Sequence, residues 1–262
     1  MLFKDILIAN LDEIMSDSFD YASYRIGYFS FRAKNKTTRN EDVVFIGSEK
    51  DSLLFGVADG AGGHPKGLEA ASLVGTESLT KKKIICDHRL NPMQAIEEIN
   101  QSVVALKVGA KTTMALVSLV NNEFRAYSVG DSEILYWNAA GNLLFTNIPD
   151  SSVGYKVEAG VLAQQESLDD PTRYEVTNMM GDERISIEVS SAIEVKKGHS
   201  ILVGTDGLFD NISHEDLGEI LAQGKFDDAF TALCELCYVQ KEGVWKKQDD
   251  IGFVFLRKIK HT

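Results

Sequence analysis

The segment 112–120 has no polar face. Apart from Ser118, Met114-Ala115-Leu116-Val117-Ser118-Leu119-Val120 is apolar at odd and even positions alike, and a strand sends successive side chains to opposite sides. Such a strand is stable only when both faces of its sheet are covered. Asn121-Asn122 then turns the chain into a run over 123–129, Asp131-Ser132 into 133–137, and Ala140-Gly141-Asn142 into 143–146. These connections are too short for a crossover, so the strands form an antiparallel meander. A second sheet on one side and helices on the other satisfy both faces. The fold expected is therefore α+β, a four-layer α-β-β-α sandwich of two antiparallel sheets flanked by helices.

The rest of the chain supplies the missing layers. Segments 25–32 and 43–47 read as strands, and Ser48 to Ser52 turn the chain into the apolar run that ends at Asp59. Helical composition follows over 67–80. Asn91-Pro92 gives an N-cap and a first-turn proline for a helix to about Leu106. Ser213 with Asp216 opens a helix to about Leu221, a further helix runs near 226–239, and Gly243 leads to a closing strand that starts at Ile251. Leu2, Phe3, Ile6, Leu7, Leu11, Ile14 and Met15 fall at helical spacing, so residues 1–24 are expected as an amphipathic helical extension packed on a catalytic domain over 25–262. Residues 147–182, poor in periodic pattern and carrying Gly154, Gly160, Pro171 and Gly181, read as an irregular flap near the site.

With 262 residues, 44% of them hydrophobic, the chain can bury a full core as one domain. Its net charge of −12 argues against nucleic acid and anionic membrane as partners. No uninterrupted apolar stretch suits a membrane span, and Lys4, Asp5, Asp12 and Glu13 occupy the place of a signal-peptide core, so a cytoplasmic location is expected. Cys234 and Cys237 have the spacing of a redox or metal pair. They share helical spacing with Phe226, Ala229, Phe230, Leu233 and Leu236, which assigns them to a buried helix face.

Charge sits where the apolar runs stop. Asp59 follows Leu53 to Ala58, Asp206 follows Ser200 to Thr205, Asp131 follows a run that ends at Gly130, Asp249 precedes the last strand, and Glu41 and Asp42 precede the second. If these strands are neighbours, the carboxylates gather at one sheet edge, where like charges repel unless a cation neutralises them. A donor set of oxygens without a His or Cys cluster favours a hard ion, Mg²⁺ or Mn²⁺.

The segment Asp59-Gly60-Ala61-Gly62-Gly63-His64-Pro65-Lys66-Gly67 lacks the Lys-Ser/Thr of a phosphate loop and the spacing of a dinucleotide fingerprint. It resembles the DGxGGHxxG signature of the metal-dependent protein phosphatases, the bacterial type of the protein phosphatase 2C family. Asn40-Glu41-Asp42, Gly109-Ala110-Lys111-Thr112-Thr113, Val129-Gly130-Asp131-Ser132, Thr205-Asp206-Gly207-Leu208-Phe209-Asp210 and Asp249-Asp250-Ile251-Gly252 resemble the family's other motifs in family order. The resemblance spans about residues 25–257. It implies a Mg²⁺- or Mn²⁺-dependent protein serine/threonine phosphatase that hydrolyses phosphoserine or phosphothreonine with a water activated between two ions. Asp59 would bridge the ions, with the Gly60 carbonyl on the first and Asp206 and Asp249 on the second. Glu41 and Asp42 would hold waters of the metal shells, and Asp131 with Asp206 matches a third, weaker position. The implied partners are a phosphoprotein substrate and a counteracting kinase.

Two departures qualify the resemblance. Thr37 stands where many members carry an arginine that grips phosphate, with Lys36 and Arg39 nearby, and Asp250 and Gly252 replace the usual Asn and Thr of the last motif. His64 reads either as the acid for the leaving oxygen or as a structural residue of a glycine turn. A catalytically silent relative that binds a phosphoprotein, and a hydrolase of small phosphate esters, are the rival readings.

Overall fold

A computed structural model describes residues 3–34, 36–87, 89–222, 224–239 and 247–259; Leu2 and Gly243, each used above, lie outside them. Two antiparallel sheets form the centre. One has the order β1 (Ile6–Ile8), β4 (Asp42–Glu49), β5 (Ser52–Asp59), β6 (Met114–Val120), β7 (Glu123–Val129), β10 (Glu188–Val189), with β11 (Ile193–Glu194) also on β7. The other has the order β2 (Met15–Tyr21), β3 (Tyr24–Phe31), β13 (Ile251–Lys258), β12 (Ser200–Gly204), β8 (Glu133–Trp137), β9 (Leu143–Thr146).

Strand alternation builds three apolar layers. On β4, Val44 and Ile46 face the second sheet, where they join Val57, Val117, Ile26, Val203 and Val254. Their neighbours Val43 and Phe45 face the other way, onto α1 (Gly67–Thr80), α2 (Lys82–Cys86) and α3 (Pro92–Val104). The second sheet does the same. Phe29, Phe253 and Phe255 point outward onto α6 (Asp206–Phe209), α7 (His214–Ala222) and α8 (Phe226–Val239), with Phe226 stacked 4.5 Å from Phe255. The doubly apolar β6 divides its side chains as expected, Ala115 and Val117 to the inner layer and Met114 and Leu116 to the helices. The four-layer sandwich is thus the observed fold. Cys234 and Cys237 are free thiols buried on α8.

The helix expected in the first 24 residues does not form. The chain makes β1 on the edge of one sheet and β2 on the edge of the other, the latter paired with β3 from Met15↔Ser30 to Tyr21↔Tyr24. Two exposed sheet edges offer unpaired backbone groups that this segment satisfies. Asn10, with φ of 60°, holds a left-handed conformation that a right-handed helix does not allow. The helical spacing of apolar residues instead reflects a segment that feeds both sheets, with Phe3, Ile6, Leu11 and Phe19 against the inner core.

Elements too short to show a period escaped the sequence reading: α2, β10 and β11. Segment 147–182 contains two short helices, α4 (Ser152–Glu158) and α5 (Gln164–Ser167), joined by turns. It is anchored beside the site through Gly130, whose N–H donates to Asp150 Oδ2 at 3.0 Å and whose carbonyl accepts from the Asp150 N–H at 2.9 Å.

Candidate functional site

Registers place the acidic strand ends on one edge of the sandwich. Asp42, the first residue of β4, pairs with Asp59, the last of β5. Met114 opposite Val129 puts the start of β6 and the end of β7 at the same level. In the second sheet, Gly204 pairs with Phe253 and with Glu133, so Asp206 and Asp249 leave their strands at that edge too.

Hydroxyls and glycines fix the approach. The Asp59 N–H donates to Thr113 Oγ1 at 3.0 Å, and the Asp59 carbonyl accepts from Thr112 Oγ1 at 2.7 Å and the Thr113 N–H at 2.9 Å. Thr113 Oγ1 lies 2.7 Å from Ser132 Oγ, tying Asp59 to the turn that carries Asp131. Gly130 in that turn has φ of +100°, and a Cβ there would lie 2.7 Å from Thr113 Cγ2; only glycine suits both demands. A Cβ on Gly60 would fall 2.5 Å from the Gly67 carbonyl carbon and 2.9 Å from the Glu41 carbonyl oxygen. The glycine segment therefore serves close backbone packing around the Gly60 carbonyl.

The two sheets are joined at the site by a buried hydroxyl. Thr205 Oγ1 donates to Asp42 Oδ2 at 2.6 Å and accepts from the Gly252 N–H at 3.0 Å. Asp250, 1% exposed, accepts from the Ala33 N–H at 2.8 Å on Oδ1 and from the Glu41 N–H at 2.9 Å on Oδ2. Its second oxygen also takes Lys36 Nζ at 3.0 Å. The carboxylate that stands in place of the family's Asn thus holds the Glu41 backbone, and Lys36 balances its charge.

The carboxylates lie close enough to act on one another's protonation. Burial raises the Asp59 carboxyl well above its usual range, and Asp42, Asp206, Asp249 and Asp131 add to the rise. Asp42 is raised by burial and then by Asp250; Asp131 by burial and then by Asp206. Glu41 is raised by burial. Asp210 is pushed up to about 6 by burial and Asp206, against the pull of Lys247. Asp249 is the exception. Burial would raise it, but Lys247 and Lys36 outweigh that effect and hold it below the ordinary value.

Among the described residues no three acidic, His or Cys side chains already close into a cation cage. Two ammonium groups are threaded between them instead. Lys36 Nζ lies 2.8 Å from Asp249 Oδ1 and 3.7 Å from Glu41 Oε2. Lys247 Nζ touches Asp206 closely and lies 2.9 Å from Asp210 Oδ2 and 3.4 Å from Asp249 Oδ2. Asp206 Oδ1 is buried and has no hydrogen-bond partner among the described residues. Hard oxygens that already recruit two cations, with one oxygen still unsatisfied, fit divalent-metal chemistry.

Of the residues singled out in the sequence, Asp42, Asp59, Asp131, Asp206 and Asp249 come together, with Glu41 joined through Lys36 and Asp250. His64 is different: it is exposed, with Nδ1 3.2 Å from the Gly109 carbonyl. Thr37 is exposed as well. Arg39 turns away to Asn10 Oδ1 at 2.9 Å, so the cation this segment delivers inward is Lys36. Asp210, Asp250, Lys36 and Lys247 were not assigned to the site from sequence. Asp210 carried a signal, four residues beyond Asp206 at the C-cap of the same short helix; Lys247 carried none. Beside the carboxylates, a cavity of about 690 Å³ opens between segment 147–173 and α7, lined in part by Asp131, Asp206, Asp210, Arg173 and the pair His214–Glu133.

Comparison with known proteins agrees with this geometry. The sequence profile of the family described as protein phosphatase 2C matches residues 32–248. A putative protein phosphatase 2C 24 of Oryza sativa subsp. japonica is 24% identical over 71% of this chain; the chain spans 55% of that relative's length. A putative protein phosphatase 2C-type protein of Streptococcus pyogenes serotype M6 is 26% identical over 71% of this chain and 80% of its own. The crystal structure of serine/threonine phosphatase Stp1 from Staphylococcus aureus superposes with a TM-score of 0.78 at 21% identity, covering 90% of this chain and 95% of that one.

Proposed function

Since this chain belongs to the protein phosphatase 2C family, we propose that it is a Mg²⁺- or Mn²⁺-dependent protein serine/threonine phosphatase acting on phosphoserine and phosphothreonine. The observation that carries this reading is the convergence of Asp42, Asp131, Asp206 and Asp249 on Asp59 at one edge of the sandwich. In this reading Asp59 and the Gly60 carbonyl would hold one ion and Asp59, Asp206 and Asp249 a second, and Asp131 with Asp206 would offer a third position. Bound there, the ions lower the pKa of a water and neutralise the phosphate oxygens.

The chain's own groups set the stage for that chemistry. Thr113 and Thr112 fix the end of β5 so that Asp59 faces Asp42. Thr205 orients the Asp42 carboxylate, and Asp250 holds the Glu41 backbone, placing both acids where they order water. His64 is the candidate acid for the departing serine or threonine oxygen. The Gly109 carbonyl accepts only, so Nδ1 carries a hydrogen, and Nε2 donates once the ring is protonated. Segment 147–182 lines the cavity beside the carboxylates and is the flap over substrate in this reading.

The three free, buried thiols suit a reducing compartment, and no helix among the described residues is long and apolar enough to cross a membrane. We place the enzyme in the cytoplasm, opposing a Ser/Thr kinase. The test is hydrolysis of a phosphothreonine peptide. Activity that requires Mn²⁺, disappears with EDTA and is lost in Asp59→Asn is expected. Peptide binding without turnover would favour the silent relative, and full activity in Asp59→Asn would reject the site.

A further inference from the structure

We propose that Lys247 is a tethered internal cation that occupies the second-ion position in the metal-free protein and must leave it before a divalent ion can bind there. This inference rests on the metal-centre reading above. The Lys247 backbone is clamped to the turn that follows α6: the Lys247 N–H donates to Asn211 Oδ1 at 3.1 Å, and the Lys247 carbonyl accepts from Asn211 Nδ2 at 2.9 Å. The same Asn211 Nδ2 donates to the Gly207 carbonyl at 3.0 Å. From this anchored point the side chain, 10% exposed, enters the acid cluster. Nζ meets Asp206, Asp210 and Asp249 together, and Asp206 and Asp249 are the pair assigned to the second ion.

One oxygen set does not serve an ammonium and a divalent ion at hydrogen-bonding and coordination distance together, because the two cations repel and compete for the same lone pairs. Metal entry therefore exchanges a tethered monovalent charge for a free divalent one. Lysine is suited to this. Its flexible stem lets the head swing to solvent while the Asn211 clamp stays closed. Nζ also lies 5.2 Å from the centre of the Tyr174 ring, so its departure breaks a contact between the cluster and segment 147–182. Two consequences follow: the acid cluster is partly neutralised without metal, and the second ion binds more weakly than its ligands alone would dictate.

The experiment measures Mn²⁺ binding by calorimetry to the wild type and to Lys247→Met, and acetylation of Lys247 in the wild type by mass spectrometry with and without Mn²⁺. Lys247→Met is expected to bind its weaker Mn²⁺ at least about tenfold more tightly and to melt lower than the wild type without metal. Lys247 acetylation is expected to speed up when Mn²⁺ is added. This second measurement stands even if the variant does not fold without metal. Unchanged or weaker Mn²⁺ binding in Lys247→Met, or Lys247 acetylation that Mn²⁺ leaves unchanged or slows, would overturn the displacement while leaving the metal centre in place. No Mn²⁺ binding by either protein would overturn both.

Discussion

The two ends of the sandwich are built from the same strands to opposite designs. At the end opposite the carboxylates, β4–β5 and β6–β7 close in tight turns, with Lys50, Asn121 and Asn122 at φ of 55°, 51° and 66°. Tyrosine hydroxyls stitch the sheets together there: Tyr24 Oη donates to Asn122 Oδ1 at 2.8 Å and Tyr21 Oη to the Lys50 carbonyl at 3.2 Å. The buried Lys258, paired with Tyr24 at that end, gives its Nζ to the Val195 carbonyl at 3.0 Å. At the other end the same strands stop at acids packed against each other and against Lys36 and Lys247. One end is closed for stability; the other stores repulsion that a cation relieves.

The contrast is broken most severely at the acid end. Asp249→Asn is expected to lower Mn²⁺-dependent hydrolysis of an aryl phosphate by at least about a hundredfold, with the circular dichroism of the folded protein unchanged. In the outer apolar layer, Phe253→Ala should cost about 3–5 kcal/mol of stability by denaturant unfolding, with or without Mn²⁺, because the Phe253 ring packs between Phe29 and Phe230. A loss that depended on metal would contradict the separation of core from site.

Asp210 gives a pH signature. Its folded-state pKa of about 6 lies above the ordinary carboxyl value of 3.8, so the folded protein holds the proton more tightly than the unfolded chain. Its contribution to stability is complete below pH 3.8 and is lost as pH rises through about 6. Asp249, held below its ordinary value, contributes in the opposite sense, with stability lost as pH falls. In the metal-free protein Asp210→Asn should therefore gain thermal stability relative to the wild type as pH rises from about 4 to about 7. A difference independent of pH would show that Asp210 is not strained. At the quiet end, Tyr24→Phe should cost only about 1 kcal/mol and leave hydrolysis unchanged.

The sandwich was legible because β6 has no polar face and its turns are short, facts that survive without knowledge of any partner strand. The gathering of acids was legible because each of them borders one end of an apolar run, and antiparallel registers bring such ends to one edge. The N-terminal segment misled because its apolar spacing suits a helix, whereas two sheet edges in need of partners decided its conformation. Lys247 and Asp250 could not be read in advance. Their roles depend on Asn211, Ala33 and Lys36, which approach only once the second sheet is closed.

The most direct test of the account is anomalous diffraction from a crystal soaked in Mn²⁺. Two strong peaks are expected, one beside Asp59 and the Gly60 carbonyl and one between Asp59, Asp206 and Asp249, with the Lys247 ammonium withdrawn. A soaked crystal with no manganese among those oxygens would contradict it.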